Sequence, residues 1–331
     1  MQIIVTGATG FIGKRLCKKL SEAGHVITGL TRDASTASRE VSYVDRFVEW
    51  DPAKSDPSPE VFSGADAVVH LAGESVVGLW TASKKRSIRE SRVEGTRRLV
   101  SALEKTPLRP GVLVCASGVG FYGDQGDTTL DENSSPRGGD FLSEVCQAWE
   151  REAHGATALG MRVVPLRIGL VLGLDGGMLE PLVPAARLGL FGRMGGGAQW
   201  WPWVHIDDVA RLIVFALENE VHGPLNATAP HPARQADFAR TLTAALGRRS
   251  LVNMPRFALR LLGGIASEVL NSKRVLPEKS LAEGFRFAYP ELSGALDAIL
   301  SRDKNDMKRE KASAVDSTLH EQSATNTRNA A

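Results

Sequence analysis

Residues 6–13 read Thr6-Gly7-Ala8-Thr9-Gly10-Phe11-Ile12-Gly13, directly after the apolar run Ile3-Ile4-Val5 and directly before a helical pattern over Lys14 to Ala23. Three glycines in a loop are common. Three glycines between a strand and a helix, at the opening of a βαβ unit, form a phosphate-binding turn. Gly7 permits the tight turn, Gly10 lets backbone approach a pyrophosphate, and Gly13 lets helix and strand pack closely. The helix start offers N–H groups and the positive end of its dipole to the phosphates. The expected cofactor-binding residues here are Gly7, Gly10, Phe11, Ile12 and Gly13.

Outward from this turn, short β-rich runs alternate with helical patterns, the signature of a parallel sheet covered on both faces. The runs are Ile3 to Val5, Val26 to Leu30, Phe47 to Trp50, Ala67 to Leu71, Val112 to Cys115 and Val163 to Arg167. Helical patterns fall at Ser91 to Leu103 and Leu142 to Ala153, and later at Val209 to Glu218 and Ala236 to Leu246. The fold class is α/β, a doubly wound Rossmann sheet with a smaller, mainly helical C-terminal lobe. The expected organisation is a dinucleotide-binding domain over 1–225 with a substrate-lobe insertion near 170–205, then a cap over 226–302. Segment 303–331 holds five acidic and five basic residues with almost nothing to bury, and reads as a disordered tail.

The end of the second strand chooses the cofactor. NAD sites place a carboxylate there for the ribose hydroxyls, whereas an arginine accommodates the 2′-phosphate of NADP. Thr31-Arg32-Asp33 puts Arg32 first, with the Thr31 hydroxyl beside it, which points to NADP; Asp33 keeps NAD as the alternative. The fourth strand delivers His70-Leu71-Ala72-Gly73-Glu74 to the same edge, where small residues let the adenosine half lie against backbone. His70 reads as a packed strand residue, since no second metal-type side chain stands at useful spacing. No metal site is expected.

Forty basic against 38 acidic residues leave a net charge of only +2, which gives no reason to expect nucleic acid or an anionic membrane as partner. Cys17, Cys115 and Cys146 are odd in number and widely spaced, without a disulfide or metal framework. With no apolar run long enough to span a bilayer, the chain reads as soluble and cytoplasmic, acting on a small molecule.

Several further segments bear on identity: H-L-A-G-E ending at Glu74, S-R-V-E-G-T-R from Ser91, S-G-V-G-F-Y-G from Ser117, and R-I-G-L-V-L-G from Arg167. They are followed by W-P-W-V-H-I-D-D from Trp201 and R-V-L-P-E-K-S-L-A-E-G-F-R-F-A-Y-P-E-L from Arg274. With the opening glycine turn, they resemble the extended short-chain dehydrogenase/reductase superfamily. More narrowly, they resemble its epimerase-like family of nucleotide-sugar-epimerase relatives, which carry a small C-terminal domain of unknown function. The resemblance covers about residues 1–300. It implies an NADP-binding Rossmann domain, a C-terminal lobe closing over the nicotinamide end, and Thr31, Arg32, Leu71, Ala72, Glu74 and Arg92 near the cofactor. The other basic residues around Arg92 are diluted by Glu90 and Glu94 and read as a solvated helix face.

The superfamily's catalytic pattern is broken. Active members use a Tyr-x-x-x-Lys pair, in which the lysine lowers the tyrosine pKa for proton exchange with substrate. Aligned on Glu150, Leu142 takes the tyrosine slot and Cys146 the lysine slot. The serine slot falls on Gly118, one residue after Ser117. The remaining polar candidates are Tyr122 and Ser117 as catalytic groups, Cys146 as thiolate or buried hydrophobe, and His205, Asp207 and Asp208, the two aspartates also being possible N-caps. Trp200, Trp201 and Trp203 form either an aromatic wall over a substrate or lobe packing. The leading reading is an NADP(H)-dependent oxidoreductase or epimerase-like enzyme with a non-standard site. The alternative is a non-catalytic NADP(H)-binding redox sensor; a weaker third is an assembly protein recruiting partners through its tail.

Overall fold

The computed structural model describes residues 1–250, 252–255, 257 and 265–301. The expected disordered tail, 303–331, lies outside the described residues. The first half comprises β1 (Gln2–Thr6), α1 (Phe11–Glu22), β2 (Val26–Thr31), α2 (Ala34–Glu40), β3 (Arg46–Glu49), β4 (Ala67–His70), α3 (Ala82–Glu104) and β5 (Val112–Gly118). There follow β6 (Thr129–Leu130), α4 (Phe141–His154), β7 (Arg162–Ile168), β8 (Leu170–Leu172), α5 (Leu179–Arg187), β9 (Trp200–Trp201), β10 (Trp203–His205) and α6 (Ile206–Glu218). The last are β11 (Leu225–Ala227), β12 (Ala233–Arg234), α7 (Gln235–Ala245), α8 (Ile265–Leu270), β13 (Arg274–Val275) and α9 (Glu278–Ala282), with helix again at 292–301.

All six apolar runs of the sequence become strands of one sheet, ordered β11-β7-β5-β4-β1-β2-β3, and every pairing in it is parallel. Alternation along each strand sends side chains to opposite faces. Ile3 and Val5 meet Leu16, Cys17 and Leu20 of α1 and Val209 and Ile213 of α6. Ile4, from the same strand, meets Leu99 and Leu103 of α3 and Trp149 of α4. The order reverses between β1 and β4, so their carboxyl ends open the crevice where ligands of such sheets bind.

Two features depart from the sequence reading. β11 is a seventh parallel strand on β7 and runs through the expected boundary at 225/226. The packing of the 170–205 insertion also crosses that boundary. Leu179, Val183, Phe191, Trp201 and Trp203 share one core with Phe238, Leu242, Leu296 and Leu300, so insertion and cap form a single second lobe.

The first turn of α6 brackets both lobes. The buried Asp208 carboxylate accepts the Ala288 and Tyr289 N–H groups at 2.8 and 2.9 Å. Asp207 pairs with Arg15 of α1. The aspartates therefore do not cap α6: His205 does, accepting the Asp207 N–H on Nδ1 at 3.0 Å. The His205 ring also stacks on Tyr289 at 3.8 Å.

Candidate functional site

Gly7 leaves β1 at φ +72°, and a Cβ there would stand 2.9 Å from the Leu71 carbonyl carbon. The exits of β1 and β4 are thus pressed together at the crevice. The Gly10 N–H closes the turn on the Gly7 carbonyl at 3.0 Å, and a Cβ on Gly13 would overlap that same oxygen. α1 starts at Phe11 with no side-chain cap and no acidic residue in its first turn. Its first backbone bond, Lys14 N–H to the Gly10 carbonyl at 2.8 Å, leaves the Phe11, Ile12 and Gly13 N–H groups without intrahelical acceptors. A backbone cradle that β-carbons would fill, at a bare helix N-terminus, fits a diphosphate.

The Phe11 ring is enclosed by a second glycine turn that sequence reasoning did not connect to the site. A Cβ on Gly176 would lie 2.8 Å from Phe11 Cγ, and one on Gly177 2.7 Å from Cε1. The signal, Gly173-Leu174-Asp175-Gly176-Gly177, was visible only as a Gly-rich stretch.

Beyond β2, the Asp33 carboxylate caps α2. It accepts the Thr36 N–H at 2.9 Å and the hydroxyls of Ser35 and Thr36 at 2.9 and 2.8 Å. The Thr36 N–H leads these bonds in holding the carboxyl at about 2. Asp33 is thereby turned into its own helix. Arg32 is exposed and has no hydrogen bond or ion pair among the described residues.

At the β4 edge, His70 is buried between strand and helix. Its Nδ1 stands 2.7 Å from Thr6 Oγ1 and its Nε2 3.0 Å from Thr96 Oγ1, while the Ala72 N–H donates to Thr6 Oγ1 at 3.2 Å. Burial, with Arg92 adding, holds the ring at about 4. His70 is therefore a neutral packed residue that fixes the Leu71–Ala72 backbone. Below its ordinary value of 6.5 the unfolded chain binds a proton that the folded ring refuses until about pH 4, so stability falls on acidification through that window. At about 1.4 kcal/mol per pH unit, roughly 3 kcal/mol is expected to be lost. Chemical denaturation of wild type and His70→Asn at pH 7 and pH 4.5 checks this: an equal loss in both would refute it.

Arg92 reaches the same edge from α3. Its Nη1 donates to the Glu74 carbonyl at 2.8 Å, and its Cζ lies 5.1 Å from the Trp149 ring centre and 3.2 Å from where a Gly73 Cβ would stand. Burial lowers its pKa from the usual arginine value. Glu74 holds Lys84 at 2.5 Å.

α4 packs on the turn after β5. A Cβ on Gly120 would lie 3.1 Å from Leu142 Cβ and 3.5 Å from Cys146 Sγ. The tyrosine and lysine slots are thus occupied by an alkyl chain and a thiol. Burial, with Glu150 adding, pushes that thiol up to about 12 against the pull of Arg92, the direction that keeps it protonated.

Tyr122 and Ser117, the expected catalytic groups, are both tied into a buried hydrogen-bond network. Tyr122 is fully buried. Its oxygen lies 2.7 Å from Asn226 Oδ1 and 2.9 Å from the Asp131 carbonyl, and accepts from Arg167 at 3.0 Å. Burial pushes the phenol up to about 12. Ser117 donates to Glu150 at 2.6 Å, and Glu150 takes Arg167 in a buried two-pronged pair at 3.0 and 2.9 Å. These side chains join β5, β7, β11 and α4. Trp201 and Trp203 are core residues; Trp200 is half-buried at the lobe's edge. Among the described residues no group of three or more His, Cys, Asp or Glu could hold a metal, and no helix is long and apolar enough to cross a membrane.

Known proteins match this chain over most of its length. The model of the NAD dependent epimerase/dehydratase family matches residues 3–227, and a domain of unknown function (DUF1731) matches 254–299. The chain is 40% identical over 304 residues to the Arabidopsis thaliana "Epimerase family protein SDR39U1 homolog, chloroplastic", covering 91% of this chain and 87% of the relative. The crystal structure of human epimerase family protein SDR39U1 with NADPH superposes with a TM-score of 0.80 at 35% identity, over 90% of this chain and 99% of the human one. The Corynebacterium glutamicum nucleoside-diphosphate sugar epimerase gives 0.73 at 33%, over 91% of this chain and 58% of its own. With its glycine cradle, its parallel sheet and a family match over most of its length, the chain belongs to the NAD dependent epimerase/dehydratase family.

Proposed function

We propose that the protein binds NADP(H) at the β1–β4 crevice and acts as an oxidoreductase or epimerase-like enzyme on a small molecule, with its proton donor outside the usual helix positions. The observation that carries the cofactor reading is the pair formed by the Gly7–Gly13 cradle and the self-capped Asp33. The cradle takes a diphosphate, and with Asp33 engaged in α2, Arg32 is the residue at the ribose edge. The human relative named above was crystallised with NADPH. When bound, NADP(H) supplies or accepts a hydride at its nicotinamide ring. The chain's own residues hold the diphosphate on the Phe11, Ile12 and Gly13 N–H groups, the 2′-phosphate at Arg32 with Thr31 beside it, and the adenosine half along Leu71 to Gly73. Arg92 and Glu74 complete that edge.

A second reading, a non-catalytic NADP(H) sensor, is favoured by one observation: Leu142, Cys146, Tyr122 and Ser117 hold no exchangeable proton open to a substrate. The second lobe favours the enzyme. Titration should show NADPH binding at least about tenfold tighter than NADH, roughly 1.4 kcal/mol. Arg32→Ala should erase most of that difference; equal affinities in the wild type would sink the assignment. NADPH oxidation against a panel of carbonyl compounds separates the two readings.

A further inference from the structure

Two helices of the second lobe end in the same way and side by side. α5 stops at Gly189, φ +74°, with the Leu190 N–H returned to the Ala185 carbonyl at 2.8 Å. α7 stops at Gly247, φ +66°, with the Arg248 N–H returned to the Thr243 carbonyl at 2.8 Å. A left-handed glycine turns each chain out of its helix. The two exits then run in parallel. The Arg193 N–H donates to Asn253 Oδ1 at 3.2 Å, and the Arg193 carbonyl accepts the Met254 N–H at 2.8 Å. The Gly195 N–H donates to the Met254 carbonyl, also at 2.8 Å.

Leu188, Leu190 and Val252 on these exits are 70%, 54% and 43% exposed, and Phe257 just beyond is 75% exposed. Single exposed apolar side chains are ordinary, but several on adjoining segments mark a contact surface. Arg193, Arg248 and Arg249 stand exposed on the same segments, their guanidinium groups without a hydrogen bond or ion pair among the described residues. The sequence supplies no acid to balance them nearby along the chain: it holds no Asp or Glu from 181 to 206 or from 238 to 267. The net charge of +2 therefore conceals a face that is cationic and apolar at once.

Charge decides what covers it. A second copy seated by a two-fold axis would set these arginines against themselves, with no carboxylate of the same segments between them. A nucleic acid strand would take the guanidinium groups but leave Leu188, Leu190 and Val252 in water, since aliphatic chains offer bases no ring to stack on. An anionic bilayer satisfies both halves, because its phosphates meet the arginines and its acyl boundary takes the apolar side chains. Such a contact lies in the interface and needs no spanning helix.

We propose that this face of the second lobe docks on a lipid surface carrying anionic headgroups. Sedimentation of the full chain, NADPH present, with phosphatidylcholine vesicles containing about one third phosphatidylglycerol tests it. The protein should pellet with these vesicles and stay in solution with pure phosphatidylcholine. Each arginine near such a surface contributes about a fivefold gain, so Arg248→Gln with Arg249→Gln should weaken partition by at least about tenfold. Leu188→Ser with Leu190→Ser should weaken it by a similar factor. All four side chains are exposed, so both double variants should melt and bind NADPH as the wild type does. Glycerol phosphate, the headgroup without its bilayer, should not compete.

No partition onto the anionic vesicles, or partition that both double variants leave intact, overturns the proposal. Displacement by glycerol phosphate overturns it in favour of a free-phosphate site. A dimer in sedimentation velocity that the leucine pair dissolves assigns the face to a second copy, and an oligonucleotide bound more tightly than the vesicles assigns it to nucleic acid; either result overturns it.

Discussion

Gly13→Ala is expected to abolish NADPH binding and to lower the melting temperature by about 10 °C. The added Cβ meets the Gly7 carbonyl oxygen, so the clash is with backbone rather than with a side chain that can turn away. Overpacking that side chains can absorb costs about 1–3 kcal/mol. Here either α1 or the glycine turn must shift, which places the cost at or above the top of that range, and about 2–4 °C accompany each kcal/mol in a chain of this class. The same shift moves the Phe11, Ile12 and Gly13 N–H groups, so affinity should fall by about a hundredfold or more. Gly10→Ala is the informative comparison. Its Cβ would stand 3.2 Å from the Gly7 oxygen, and Gly10 already has an ordinary φ of −76°. It should keep most of the stability and still lose affinity. A Gly13→Ala protein with native melting and native NADPH affinity would show that α1 is seated elsewhere.

Arg167→Met should produce a comparable loss of stability with NADPH affinity intact. Arg167 and Glu150 are a buried pair, their side chains 5% and 7% exposed. Replacing one partner leaves the other charge buried and uncompensated, at about 3–5 kcal/mol. It also removes donors from the Tyr122 hydroxyl and the Glu132 carbonyl. Tyr122→Phe, which keeps the ring and loses only the hydroxyl bonds, should cost about 1–2 kcal/mol. Combined with Glu150→Gln, the Arg167→Met change should cost less than the sum, because both act on one network. Thermal melts and NADPH titrations read each outcome. If Arg167→Met melted normally but lost NADPH, the residue would belong to the ligand site and its structural assignment would fail.

The parts of this fold legible in the sequence were those decided locally. Strands buried on both faces appear as apolar runs, so Ile3 to Val5 or Val112 to Cys115 announce themselves, and Gly7 and Gly13 state their role by position between strand and helix. β11 is only Leu225–Ala227, too short to make a run, and it is a strand because β7 lies beside it. α2 has its cap in Asp33 but little apolar periodicity, and Ala37 is its one buried residue. The fate of Tyr122 depended on Asn226 and Arg167, 104 and 45 residues away, and no spacing rule reports such distances. The broken tyrosine–lysine pair was legible because it is a matter of slots along one helix. The cationic, apolar face of the second lobe was not, since residues 192–195 and 250–254 come together only in space.

The shared core of the second lobe has a consequence for how the chain is made. Phe191, Trp201 and Trp203 leave the ribosome well before Leu296 and Leu300, which complete their packing. At about 5–20 residues per second, the nascent chain carries these aromatics uncovered for several seconds. During that interval Asp208 also lacks the Ala288 and Tyr289 N–H groups that it accepts in the finished protein. The dinucleotide sheet can therefore form during synthesis, but a polypeptide stopped after Ala227 presents an unfinished apolar surface and is a natural client for chaperones.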